Sequence, residues 1–306
     1  MELLENKNTF RGITIKPADI LLLAVAMIWG ASYGLTKEAL YFYPVLGFIT
    51  IRFSLTFLLL TPFLLSELKK GKKTQCLAAL PLGIILLIIF LLESFGVTYT
   101  SASNAAFLIS LCVLFTPFVE WGVLKVKPDN NIFILAIFSM FGAWLLIFDV
   151  NYVFNIGDLL ILSAALMRAF MVSYTKRYTL NHDLSSIALT GIQSLVVAIG
   201  AGTLFFCLYS DESTTLPSSL TFWGNTAFLV VFCTIFAFFA QNYAVKQSTP
   251  SKVSFLMGTE PVFGALFASL WLGEVLSYNA IIGGGIIVFS CFLSTQLPLL
   301  SKQTAV

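Results

Sequence analysis

Runs of about twenty mostly apolar residues, each closed by a short polar break, recur along the chain. They predict ten helices near 19–39, 44–65, 77–99, 102–124, 131–149, 158–178, 184–209, 220–245, 251–272 and 278–297. Breaks such as SELKKGKKTQ, KVKPDNN, TLNHD and SDESTTLPSS carry the turn and charge signals. Each run is about as long as a helix needs to be to cross a bilayer. The runs are too long and too continuously apolar for membrane β-strands, which alternate over about ten residues. The first run is long enough to span and reads as a retained helix rather than a secretory leader.

Composition supports lipid as the solvent. The 306 residues are 58% apolar and 10% charged, with mean hydropathy +0.93, against soluble norms of roughly 45–50% and about 25%. A net charge of +2 leaves no basic face for nucleic acid. Cys76, Cys112, Cys207, Cys233 and Cys291 each sit alone in or beside apolar runs, without metal-ligand spacing. They read as packing residues, and no metal or cofactor is expected.

Ten spans put both termini on one side. Fourteen Lys and Arg residues then share that side, Lys69, Lys70, Lys72, Lys73 and Lys252 among them, and only Lys37 lies opposite. Arg52 and Arg168 fall within spans. The positive-inside rule therefore predicts a multi-pass inner (plasma) membrane protein with both termini cytoplasmic.

The chain also repeats itself. DILLLAVAMIWGASYGLTK (19–37) and DLLILSAALMRAFMVSYTK (158–176) align at an offset of 139, matching Asp19 to Asp158, Ala26 to Ala165 and Thr36-Lys37 to Thr175-Lys176. A weaker echo links TSASNAAFLISLCVLFTPF, with Pro117, to STPSKVSFLMGTEPVF, with Pro261. The predicted organisation is an all-α membrane protein: a cytoplasmic segment 1–18, a first five-helix repeat 19–150, a second 151–297 and a cytoplasmic tail 298–306. Five is odd, so the second repeat runs opposite to the first, the pattern of secondary transporters with a midplane site between their halves.

Several stretches resemble one family. Trp29 to Lys37 (WGASYGLTK), Arg52, TSASNAAFL before Pro117, and Glu260 to Val288 (EPVFGALFASLWLGEVLSYNAIIGGGIIV) are similar to EamA-type members of the drug/metabolite transporter superfamily. The resemblance implies a ten-helix inner-membrane carrier of small metabolites and leaves the cargo open. Arg168 departs from it: the position matching Trp29 is commonly uncharged in the family.

Arg168 lies at the centre of its span, where a charge costs about 2.5–3.5 kcal/mol even on the insertion scale, so it needs a partner or a cavity. It either pairs with Glu260 or contacts cargo. Arg52 either satisfies helix-terminal carbonyls or reaches toward Glu93. Counting Arg52 and Arg168 against Glu260 gives the midplane one excess positive charge, which favours a carboxylate-bearing solute held by Arg. Glu93 and Glu120 are expected about a turn inside opposite faces. Glu93 in LLESFGVTY corresponds to Gln241 in FAQNYAV, an ionisable group against a neutral amide. That contrast suits proton coupling at Glu93 or Glu260, or simple hydrogen bonding between helices. Trp29 and Tyr33, four apart, are expected to line a cavity on one helix face, and Gln193 is a further cargo candidate. Trp223 and Trp271 read as interfacial anchors. Pro117 and Pro261 read as kinks, and Gly283–Gly285 with Gly142 as a close helix contact, with dimerisation the lesser alternative.

The leading function is a secondary transporter of a small, amino-acid-like or otherwise carboxylate-bearing solute. A passive channel is the alternative. An enzyme is not expected: the sole histidine, His182, lies in a loop, and neither HExxH nor a GxxxxGK[ST] loop occurs.

Overall fold

The computed structural model describes residues 16–147, 154–209, 215–272 and 277–296. The predicted N-terminal segment up to residue 15, the tail 298–306, the last residues of the fifth and tenth predicted runs and the side chain of Trp271 lie outside the described residues.

Among the described residues all regular structure is helical, grouped into ten consecutive rods. They are α1 (Pro17–Ala39), α2 (Val45–Lys69), α3 (Lys73–Tyr99), α4 (Ala102–Leu124), α5 (Asn130–Ile147), α6 (Ile156–Asn181), α7 (Ser186–Leu208), α8 (Leu220–Gln247), α9 (250–272) and α10 (Tyr278–Gln296). Eight, all but α5 and α9, are long and apolar enough to cross a membrane. Interruptions fall at Ala79 in α3, Leu111 in α4 and Gly258-Thr259 in α9, while Leu229–Phe236 in α8 is a π-helical turn. The breaks in α4 and α9 precede Pro117 and Pro261, which cannot donate into the helix ladder.

Local chemistry sets the rod ends. Ser101, Asn155, Ser219 and Thr249 each accept a backbone N–H at an N-terminus. Asp158 closes a capping box with Asn155, and Asp19 accepts the Lys16 backbone N–H at 3.1 Å. Lys125, at φ 59, ends α4 in the left-handed conformation.

The packing is unchanged when first-half and second-half rods are exchanged. α2 lies on α7 and α5 on α10; α3 and α4 lie on α6, as α8 and α9 lie on α1. With no hydrophobic drive between helices in lipid, small residues permit these contacts. A Cβ on Gly142 would come 2.7 Å from Gly283 O, and one on Gly30 only 2.5 Å from Glu260 O and 2.8 Å from Gly264 N, so α1 and α9 touch backbone to backbone. Leu58, Leu59, Ile199, Phe206 and Leu208 are exposed on the outer wall, as lipid-facing side chains would be.

Candidate functional site

The 139-residue offset meets itself in space. Trp29 of α1 and Arg168 of α6 are equivalent positions of the two repeats, and the Arg168 guanidinium carbon lies 4.5 Å from the Trp29 ring centroid, in cation–π contact. Arg168 does bridge to Glu260, Nη1 to Oε2 at 3.2 Å, and it also bridges to Glu93, Nη2 to Oε2 at 3.1 Å. The close crossing at Gly30 is what brings Glu260 of α9 beside α1.

Glu93 therefore does not stand apart from the centre, as its sequence position suggests, but pairs directly with Arg168. Helical side chains lean toward their own N-terminus, and on α6 that points the long arginine toward the end where Glu93 sits. The inventory changes with it: two arginines face two carboxylates, so the expected excess positive charge is absent when both are ionised.

These groups bound a narrow cavity. Trp29, Glu93, Arg168, Gln241, Phe238 and Met257 are in its wall, and its volume of about 20 Å³ leaves room for about one water. Glu93 and Gln241, equivalent in the repeat, thus reach one space. Tyr33 does not line it with Trp29; it is buried a turn further along α1, beside Glu260. Its buried hydroxyl faces the buried Glu260 carboxylate at hydrogen-bonding range. Gln193 also lies away from the cavity: it is fully buried and its Oε1 accepts from Asn242 Nδ2 at 3.0 Å, which ties α7 to α8.

Arg52 meets neither a helix-terminal carbonyl nor Glu93 in a direct ion pair. Its Nε donates to Thr234 Oγ1 at 2.8 Å, and its guanidinium lies 5.0 Å from the Phe90 ring centroid. The π turn explains the partner. A wide turn releases backbone groups from the regular ladder; here Thr234 Oγ1 donates to Leu229 O at 2.9 Å, and the Trp29 indole N–H donates to Cys233 O at 3.0 Å. Trp223, read as an interfacial anchor, donates its indole N–H to Pro217 O at 2.8 Å.

The sequence profile of the EamA-like transporter family matches residues 16–148 and again 155–296. The chain belongs to that family. An uncharacterized transporter of Archaeoglobus fulgidus is 27% identical over 277 residues, covering 90% of this chain and 85% of its own. The uncharacterized inner membrane transporter YedA of Escherichia coli K12 is 25% identical over 280 residues, covering 90% and 89%. A solved crystal structure superposes with a TM-score of 0.74 over 92% of this chain and 96% of its own, at 13% identity, which speaks to the fold alone.

The ends of this EamA transporter carry polar clusters that composition alone did not single out. At the basic end, Lys252 is buried rather than looped out, and its Nζ pairs with Asp19 Oδ2 at 3.0 Å. Glu120 is buried too, and accepts from the Ser251 backbone N–H at 2.9 Å and from its hydroxyl. Lys176 Nζ donates to Val245 O and Lys246 O, both at 3.1 Å. At the opposite end Thr100 Oγ1 donates to Asp158 Oδ1 at 2.6 Å, and Lys37 Nζ to Thr100 O at 2.8 Å. Each aspartate of the repeat thus holds the other half where α3 meets α4, or α8 meets α9. The sequence signal was available: Asp19 and Asp158, Lys37 and Lys176 are among the polar residues that the repeat preserves.

Proposed function

We propose that this chain is a secondary transporter moving a small, partly apolar, carboxylate-bearing solute, in the simplest case an amino-acid-like zwitterion, across the inner membrane by alternating access. Its two five-helix halves act as inverted repeats, and both termini are cytoplasmic. The observation that carries the reading is the meeting of Trp29 with Arg168. Equivalent residues of two antiparallel repeats can touch only where the pseudo-two-fold axis passes, and the ion bridges and the cavity lie at that point.

Charge balance supports the cargo. A zwitterion could enter by exchange, its carboxylate taking Arg168 from Glu93 and its ammonium taking the freed carboxylate, so that no buried charge is left alone. Trp29, Phe238 and Met257 offer the apolar wall, and Gln241 a neutral hydrogen-bonding group. Glu93 and Glu260 are the groups at which a proton would couple. Room for about one water fits a state between openings, with one polar cluster to release at each end. The name of YedA supports the inner membrane as the location.

Counterflow in proteoliposomes tests the reading. Vesicles preloaded with a zwitterionic amino acid should take up labelled substrate faster than empty ones, and carboxylates should compete. Absence of trans-stimulation would mean a channel. Competition by organic cations but not by carboxylates would sink the charge-exchange argument.

A further inference from the structure

A groove on the outer wall at the basic end, of about 600 Å³, lies between the first turns of α3 and the last turns of α6. Its walls change character with depth. Going into the bundle along α3 come Pro81, Leu82, Ile84 and Ile85; going out along α6 come Tyr174, Arg177 and Asn181, with His182 beyond. At 1.5 Å per residue each wall covers about 10 Å, so the apolar floor sits in the hydrocarbon and the basic rim at headgroup level.

The rim is fixed and its charge is open. Tyr178 Oη donates to Gln75 O at 2.9 Å, tying the end of α6 to the start of α3, and the His182 ring stacks on Tyr178 at 4.6 Å between centroids. Arg177 is exposed and makes no ion pair among the described residues. A second groove of about 610 Å³, between Val262, Leu266, Ile281 and Phe289, has the same size but an apolar lining without a charged group.

We propose that the α3–α6 groove binds one anionic phospholipid, its phosphate at Arg177 and His182 and an acyl chain along Leu82 and Ile85. Charge complementarity selects the headgroup, and the order of polarity along the groove matches that of a lipid from phosphate to chain. The site is separate from the cavity at Arg168 and does not depend on what that cavity carries.

The test uses the full chain in neutral detergent, with dioleoyl phosphatidylglycerol as probe and dioleoyl phosphatidylcholine as control, read by native mass spectrometry and thermal shift. Phosphatidylglycerol should leave a retained one-lipid adduct and raise the Tm, and phosphatidylcholine should not. Arg177→Gln should weaken the adduct about fivefold, equivalent to the ~1 kcal/mol a basic side chain contributes near an anionic lipid, and Arg177→Gln with His182→Gln should abolish it. Both variants should melt as the parent does without lipid. Lys69→Gln, an equal loss of charge outside the groove, should bind as the parent does. Equal adducts with both lipids, an unchanged adduct in the double variant, or the same Tm rise from inorganic phosphate alone would each overturn the proposal.

Discussion

Arg168 is the residue on which the centre of the molecule depends, because it is the counter-ion of two carboxylates at once. Removing one partner of a buried pair costs about 3–5 kcal/mol, most of it from the charge left behind. Arg168→Ala should therefore lower the Tm sharply in a detergent thermal shift, and adding Glu93→Gln and Glu260→Gln should recover much of the loss. An Arg168→Ala variant as stable as the parent would mean the bridges carry no weight. Arg168→Lys should keep the fold but weaken cargo binding, since an ammonium lacks the planar fork that serves two oxygens. Glu93→Gln should leave the protein folded and exchanging cargo while removing its dependence on a pH gradient. An unchanged pH response would move the coupling to Glu260, whose buried carboxylate lies beside the Tyr33 hydroxyl. Arg168, Glu93, Glu260 and Gln241 could be singled out from the sequence, since charge and amide inside apolar runs need a reason. Their mutual distances could not, because depth along a helix says nothing of which helices pack together or which faces they turn to one another.

The helices followed from hydrophobic run length, and the predicted limits differ from the observed ones mostly by a few residues at frayed or capped ends. What run length could not supply was local irregularity. The π turn at Leu229–Phe236 has no proline or glycine to announce it, so the partners of Arg52 and Trp29 stayed hidden. Lys252 counted with the cytoplasmic charges because one proline and two serines precede it in KQSTPSK, yet Pro250 begins a helix there and carries the lysine inside. Two predictions belong to this scale. Asp19→Asn leaves Lys252 buried without its anion, so the basic end should open more often. A cysteine placed at Ser254 should then react faster with a membrane-impermeant maleimide from that side, and an unaltered rate would show that the pair is not a latch. Gly30→Ala should separate α1 from α9, because its Cβ would meet backbone atoms that cannot yield. A cost of about 1–3 kcal/mol is expected for such overpacking, seen as a lower Tm, and a parent-like Tm would refute the contact.

At the scale of the molecule, orientation is the open quantity that charge bias predicts. Ser218 is exposed in the connection between α7 and α8, at the end opposite the lysine-rich turn after α2. In a Cys207→Ser background, Ser218→Cys should be quenched only by reagents acting from outside the cell; quenching from the cytoplasm would reverse the whole assignment. The contact between Trp29 and Arg168 has a consequence for how such a protein can arise. In a homodimer of such halves, a position that touches its own copy across a two-fold axis must hold the same residue twice, so an arginine there would face a second arginine at close range and each would need its own counter-ion. Identical halves cannot differ at the point where they touch, whereas halves that differ in sequence can. The pairing of one arginine with one tryptophan at matching positions is thus an asymmetry open to this chain and closed to a dimer of identical halves.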